Sequence, residues 1–430
     1  MSSPVRVAVA GLGNVGAETV RLLAGQKDLL ALRCGRPIVV TAVSARDSSR
    51  DRGISLDGIA WFDDPVAMAR DAEADLVLEL IGGSEGVAHE VCKAAIGAGR
   101  HVVTANKALI AVHGASLGTA AEAAGVSLAY ESAVAGGIPI IKALREGLAA
   151  NQVFRLHGIL NGTCNYILTT MRETGRDFDD VLRDAQELGY AEADPSFDID
   201  GVDAAHKLAI LTSVAFGCAI DFDAVHIEGI RHIGAIDIAF ATELGYRIKL
   251  LGIAEQTDAG IQQRVHPVMV PVAAPIAAVE GVFNAIVSDG DYVGTTMFQG
   301  RGAGGGPTAS AVVADIVDIA RGQTVPIFGV PVAAQQPMRV QPLENRIGLY
   351  FVRFMVHDKP GVFAEIAAAL RDAEISIESA IQRGRAAGGV VPLVVTTHEA
   401  REAAMQQALG RIAALDSVTE PPRMIRIETF

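Results

Sequence analysis

Between Gly189 and Lys207 the chain reads Gly-Tyr-Ala-Glu-Ala-Asp-Pro-Ser-Phe-Asp-Ile-Asp-Gly-Val-Asp-Ala-Ala-His-Lys, five carboxylates and a lysine in a loop that runs into a helix. The apolar run Leu208-Ala209-Ile210-Leu211 follows, so Asp200 is expected at the N-cap. Asp203 and Lys207 then lie four apart on one helical face. As a surface pair at a charged helix start they would be worth only about 0.3–0.5 kcal/mol. Beside a redox cofactor the same groups have chemistry to do. The carboxylates suit a substrate carrying an ammonium group, and the lysine can exchange a proton with an alcohol or carbonyl oxygen. A second lysine, Lys107, follows Val102-Val103-Thr104-Ala105-Asn106 and is flanked by Ala108, Leu109 and Ile110. Those apolar neighbours favour partial burial, which moves a lysine pKa readily.

The elements that must position these lysines begin with a short buried strand, Val5–Ala10, followed directly by Gly11-Leu12-Gly13-Asn14-Val15-Gly16 and then a helical pattern over 17–24. This is G-x-G-x-x-G between strand and helix, the context that a dinucleotide site requires. Gly11 permits the tight turn, Gly13 lets backbone approach a pyrophosphate, and Gly16 allows close helix–strand packing. The second strand, 38–43, should end at the ribose. There Ser44-Ala45-Arg46-Asp47 follows, with Arg50 and Arg52 close behind. Arg46 leans toward the 2′-phosphate of NADP, whereas Asp47 keeps NAD possible. Strands 75–80 and 102–103 come next, with Lys107 just past the carboxyl end where ligands of open α/β sheets sit.

A strand leaving this domain, 126–131, leads into a Gly-Gly-Ile-Pro hinge at 136–139 that can present several carbonyls beside Glu131, oxygen ligands of the kind a hard cation takes. From about residue 150 the pattern changes. A strand at 153–160, a turn at 161–165 and a helix opening at Tyr166 precede the acidic loop, and strands at 247–254 and 261–270 follow it, an α+β arrangement. A further Gly-rich segment, 300–306, enters a helix through Ala320. From about Leu349 the order is β-α-β-β-α-β, the ferredoxin-like arrangement.

Composition narrows the classes. At 430 residues the chain is too long for one core, and two or three domains are expected. A net charge of −14 argues against nucleic acid as a partner. The four cysteines form no C-x-x-C pair, and no apolar run is long enough for a bilayer, so a reducing, cytoplasmic setting without membrane association is expected.

With these motifs in order, the chain resembles homoserine dehydrogenases along nearly its whole length. The match rests on Gly11–Gly16, Val103-Thr104-Ala105-Asn106-Lys107, Asn161-Gly162-Thr163-Cys164-Asn165-Tyr166-Ile167-Leu168, the 189–207 loop, and Gly302-Ala303-Gly304 leading to Pro307-Thr308-Ala309-Ser310. The C-terminal piece resembles an ACT domain, a module that binds amino acids.

The resemblance implies an α/β protein: a Rossmann-like NAD(P)-binding domain over 1–135 with 302–322 packing back on it, an α+β catalytic and dimerisation domain over 136–330, and a ferredoxin-like ACT domain over 348–430. It implies interconversion of L-homoserine and L-aspartate 4-semialdehyde with NADP or NAD, on the route to threonine, methionine and isoleucine. By the same token Lys207, Lys107 and Asp203 are catalytic, while Glu192, Asp198, Asp203 and Lys207 bind substrate. Gly11, Gly13, Asn14, Val15, Gly16, Arg46, Thr104, Lys107 and Gly304 bind the cofactor, and Glu131, Val134, Gly136 and Ile138 hold a sodium ion. Threonine is the expected ACT effector, and a homodimer or homotetramer the expected assembly. In the ACT-like part, Ala373-Glu374-Ile375 stands where Gly or Asn is expected after the helix. Two other readings remain open: another Rossmann-type amino-acid dehydrogenase, whose semialdehyde type would need a thiol such as Cys164, and an ACT-based sensor on an inactive dehydrogenase body.

Overall fold

The computed structural model describes residues 3–384 and 389–430. Strands Val5–Ala10 (β1), Ile38–Ser44 (β2), Ala60–Phe62 (β3), Leu76–Glu79 (β4), His101–Thr104 (β5) and Leu128–Ala129 (β6) form one parallel sheet in the order β3-β2-β1-β4-β5-β6. Both faces are apolar, as helices on either side require. Val5, Val7 and Val9 of β1 share one core with Leu76, Leu78 and Val103, while Ala8 and Ala10 face the other with Val77 and Val102. The strand order reverses between β1 and β4, and the Gly11–Gly16 loop emerges at that switch point. A Cβ on Gly11 would lie 2.5 Å from the Leu80 carbonyl oxygen, and one on Gly16 would lie 1.9 Å from the Gly11 oxygen. The late helix Gly305–Ala320 returns to this sheet, placing Val312, Val313 and Ile316 in the core of Val5, Val7 and Val9.

The rest of the chain is built on a mixed sheet. Val153–Ile159 (β7), Val225–Ile227 (β8), Tyr246–Thr257 (β9), Gly260–Pro271 (β10), Phe283–Gly290 (β11) and Gly294–Arg301 (β12) belong to the middle of the sequence. Ile347–His357 (β13), Ile377–Gln382 (β14), Val390–Thr397 (β15), Ala400–Arg401 (β16) and Arg423–Ile427 (β17) form, with helices Val362–Asp372 and Glu402–Ala413, the C-terminal β-α-β-β-α-β unit. The two parts are one sheet, β12-β11-β7-β9-β10-β17-β13-β15-β14, because β17 pairs in parallel with β10 at Val268–Arg426 and Met269–Ile427.

Helix Val202–Phe216 is the junction. It packs on β7, β9 and β10 on one side and against helix Lys107–Ala124 of the first domain on the other, with Leu208, Ala209 and Leu211 buried. Gly252 of β9 makes room for it: a Cβ there would lie 2.7 Å from Leu160 Cδ1 and 3.4 Å from Leu208 Cδ1.

Several local expectations are corrected. Asp200 does not cap the helix; Gly201 does, with φ +87°. Asp200 instead grips Arg231 (Nη2–Oδ2 3.0 Å) and ends a helical turn, Ser196–Ile199. The helix expected to open at Tyr166 starts at Gly162, because the Asn161 side chain accepts from the Cys164 N–H at 2.8 Å. The strand expected over 126–131 is confined to Leu128–Ala129 and gives way to a tight turn, Glu131–Ala133. Strands β11 and β12 lie where the sequence pattern predicts no element, and Gly300 and Arg301, expected to open a Gly-rich loop, end β12.

Candidate active site

Two lysines meet one buried carboxylate where the domains face each other. Lys207 Nζ donates to Asp203 Oδ2 at 2.7 Å and to the Leu160 carbonyl at 2.8 Å. Lys107 comes from the other domain, on the first turn of its helix, and pairs with the second oxygen, Asp203 Oδ1. Asn161 Nδ2 donates to Asp203 Oδ2 and to Asp198 Oδ1, both at 2.8 Å. Burial by itself would raise the Asp203 carboxyl, but Lys207 and Lys107 outweigh it and hold that carboxyl well below the ordinary range. Burial lowers the Lys207 ammonium; Asp203 opposes this, Lys107 adds to it, and the net shift is downward. Asp198 is shifted upward by burial and then by Asp203.

This geometry limits what Lys207 can do. Two of its three donor positions are spent on Leu160 and Asp203, which leaves one position for a proton or, in the neutral amine, a lone pair. Lys107 is partly exposed, and the ring of Phe197 lies 5.3 Å from its Nζ. Glu192 stands exposed on the loop, and among the described residues its carboxylate has no hydrogen-bond partner. Gln186 Nε2 holds that loop through the Glu192 carbonyl at 3.1 Å. Cys164 is buried, its Sγ lies 3.3 Å from the Asp198 carbonyl, and burial pushes its thiol well up. It is no nucleophile.

On the other side of the cleft a cavity of about 510 Å³ is lined by Gly11, Gly13, Arg46, Arg50, Arg52 and Val87. Gly13 is the N-cap of helix Asn14–Gly25, and nothing lies within 4 Å of where its Cβ would be, so backbone there is open to a ligand. Asn14 and Val15 begin the same helix, whose N-terminus suits a phosphate. Arg52 is held by the Leu12 and Arg50 carbonyls and by Trp61. The exposed Arg46 and Arg50 side chains have no protein partner among the described residues. Asp47 turns to its own loop, accepting from Ser49 N at 2.9 Å and Ser49 Oγ at 2.6 Å. Gly304 caps helix Gly305–Ala320 with φ +115°.

Two residues that the sequence reading missed hold this side together. Glu79, fully buried at the end of β4, accepts from Ile81 N (2.8 Å), Gly82 N (3.1 Å) and Thr104 Oγ1 (2.6 Å). Its signal was an acid closing an otherwise apolar strand, Leu76-Val77-Leu78. Asn106 caps the Lys107 helix through Leu109 N and donates to the Gly83 carbonyl at 2.6 Å. Thr104 therefore braces the strand ends through Glu79.

Around Glu131 the carboxylate accepts from Ile141 N at 2.9 Å and Lys142 N at 2.8 Å, and among the described residues no cationic side chain is within ion-pair distance of it. Lys142 turns to Asp315 and Asp318 instead. The chain bends at Ala135, φ +51°, and Val134, Gly136 and Ile138 are buried. The Ile138 carbonyl accepts from Ile140 N at 2.8 Å, whereas the Val134 and Gly136 carbonyls take no protein hydrogen bond among the described residues.

A glycine loop with a cavity at the switch point of a parallel sheet, and two lysines on one buried carboxylate between the domains, is the arrangement of a nicotinamide-dependent dehydrogenase. Family models match at 11–131 (homoserine dehydrogenase, NAD binding domain), 139–317 (homoserine dehydrogenase) and 350–416 (ACT domain). The chain is 46% identical to a homoserine dehydrogenase of Pseudomonas aeruginosa over 99% of both chains. A solved homoserine dehydrogenase from Thiobacillus denitrificans superposes with a TM-score of 0.93 at 44% identity, over 99% of this chain and 98% of that one. A hyperthermophilic archaeal homoserine dehydrogenase, solved in complex with NADPH, has a TM-score of 0.63 at 28% identity, over 73% of this chain and 97% of that one. The chain belongs to the homoserine dehydrogenase family, oxidoreductases with a nicotinamide-binding domain, here followed by an ACT domain. Among the described residues no helix is long and apolar enough to cross a membrane.

Proposed function

We propose that Lys207 is the proton acceptor and donor at the substrate oxygen when L-homoserine and L-aspartate 4-semialdehyde are interconverted. The observation that carries this is the single open position on a buried, pKa-lowered ammonium, oriented by Leu160 and Asp203. Neutral Lys207 takes the hydroxyl proton in oxidation and returns it in reduction. Lys107 supplies a second positive charge to the developing alkoxide. Asp203 fixes both lysines, and Asp198 with the exposed Glu192 receives the substrate ammonium.

Bound in the cavity of Gly11–Gly16, with Thr104, Lys107 and Gly304 around it, the nicotinamide supplies the hydride acceptor. NADP is the cofactor that Arg46 favours, since among the described residues Arg46 has no side-chain partner and the Asp47 carboxylate is taken up by Ser49; the archaeal relative's NADPH supports this. The donor set around Glu131 fits a sodium ion: a carboxylate plus the carbonyls of Val134 and Gly136, which take no protein hydrogen bond among the described residues, with Ile138 alongside. The ion's part would be to fix the hinge between the domains.

The functional units are 1–135 with 302–322, 136–330, and 348–430. The last is regulatory, with threonine as effector, in an enzyme of threonine, methionine and isoleucine synthesis that assembles as a homodimer or homotetramer. Initial rates of homoserine-dependent NADP⁺ reduction test the central reading. Lys207→Ala should lower kcat by about 10²–10⁴-fold with less change in KM; a variant as fast as the parent overturns it.

A further inference from the structure

We propose that Glu85, His89 and His113 form a binding site for one borderline divalent cation of the zinc class, on the rim of the cofactor domain. His89 lies on helix Val87–Gly97, His113 on helix Lys107–Ala124, and Glu85 in the loop between β4 and the first of these. One ligand atom of each lies within 4.8 Å of the other two. A carboxylate–imidazole hydrogen bond explains only part of this: Glu85 Oε1 lies 2.6 Å from His113 Nε2. The second ring is the telling one. His89 stacks on His113 with centroids 4.1 Å apart and planes 10° apart, and among the described residues its nitrogens have no protein partner. The two rings are stacked face to face, so their in-plane lone pairs run parallel, and one ring must turn for both imidazoles and the carboxylate to meet one ion.

The donor types choose the ion. Two imidazoles and one carboxylate suit zinc, nickel or copper, whereas magnesium and calcium seek oxygen. Zinc bonds of about 2.0–2.1 Å set tetrahedral ligand atoms about 3.3–3.4 Å apart, so the Glu85–His113 hydrogen bond must open and His89 must swing toward the ion. Both histidines are only half-buried and Glu85 is exposed, so side-chain rotation permits both moves. Three protein ligands leave a tetrahedral position for water. The site would also tie down the 82–86 loop, whose Gly83 carbonyl is held by Asn106 and whose neighbour Val87 lines the cofactor cavity.

The test uses the full chain, stripped with a chelator and titrated with cobalt(II), and with zinc against a chromophoric chelator. One ion per chain is expected, with a cobalt spectrum lacking thiolate charge transfer, unaffected by a large excess of magnesium. Binding should disappear in His89→Ala and in His113→Gln and weaken in Glu85→Gln. Homoserine oxidation by the variants, measured with chelator present, should match the parent and so report correct folding. If the parent takes up no ion, if the histidine variants bind as well as it does, or if thiolate bands show the cysteines to be the ligands, the proposal fails.

Discussion

At the scale of single residues, the site is a charge balance with Asp203 at its centre. Its carboxylate has both oxygens on lysines, and Asn161 adds a neutral donor that also reaches Asp198. Because burial lowers Lys207, its neutral form is populated at lower pH than in a free lysine of pKa about 10.4. Homoserine oxidation should therefore climb with pH along a limb below that value. Asn161→Asp keeps the helix cap but puts a third carboxylate beside Lys207, holding it more firmly protonated. The limb in kcat/KM should move up by about one pH unit; a profile that stays put would show that Asn161 does not tune the lysine. On the cofactor side, Arg46→Ala should raise KM for NADP⁺ by about 10–100-fold, the worth of a charge-assisted contact, and leave KM for NAD⁺ alone. Equal effects on both would remove Arg46 from the 2′-phosphate.

At the scale of elements, legibility followed how local each signal was. β1, the glycine loop and its helix were readable because pattern, turn chemistry and packing agree within twenty residues. Lys207 and Asp203 were readable as partners because four-residue spacing puts them on one face. Helix starts were less so. Asp200 looks like a cap, yet its carboxylate is taken by Arg231, thirty-one positions away, and the left-handed Gly201 opens the helix. Strands β11 and β12 carry Ser288, Asp289, Thr295 and Thr296, whose polarity hides a strand until their cross-strand hydrogen bonds are seen. Lys107 beside Asp203 is a contact across domains, which no local spacing encodes. One departure seen in the sequence has a backbone counterpart. Glu374, after helix Val362–Asp372, sits at φ +59° with an exposed side chain, the conformation that a glycine takes without cost. Glu374→Gly should raise stability by about 1 kcal/mol. A urea midpoint that falls instead would mean that the side chain makes up for the strain.

At the scale of the whole molecule, the C-terminal unit is fastened to the catalytic sheet by buried arginines, although only two residue pairs join β10 to β17. Arg426, 1% exposed, lies between Glu228 of the catalytic part and Glu402 of the ACT helix, with contacts of 2.7–3.0 Å. Glu428 joins Arg264 and Arg346 at 3.0 and 2.9 Å, and Arg353 reaches Asp237 at 2.6 Å. Burial pushes the Glu228, Glu402 and Glu428 carboxyls upward, but His226 and then Arg426 at Glu228, Arg426 at Glu402, and Arg264 with Arg346 at Glu428 outweigh it, so all three end below the ordinary range. Folded values below the unfolded one, about 4.3, mean that this stabilisation is complete above that pH and is lost as pH falls through the folded values. Acid should thus loosen the seam between the units. Arg426→Met leaves the buried Glu402 carboxylate without its cation and the partly exposed Glu228 with His226 alone, a cost of about 3–5 kcal/mol at neutral pH. In that variant the pH dependence should reverse, since protonating Glu228 and Glu402 then relieves the unpaired charge. Limited proteolysis of the 331–345 segment between the units would report both effects: faster cleavage of the variant than of the parent at pH 7, with the difference shrinking toward pH 4. Equal cleavage at pH 7 would mean that Arg426 does not hold the ACT unit in place, and that any signal the unit sends travels through the β10–β17 pairing or the other seam pairs rather than through the Arg426 side chain.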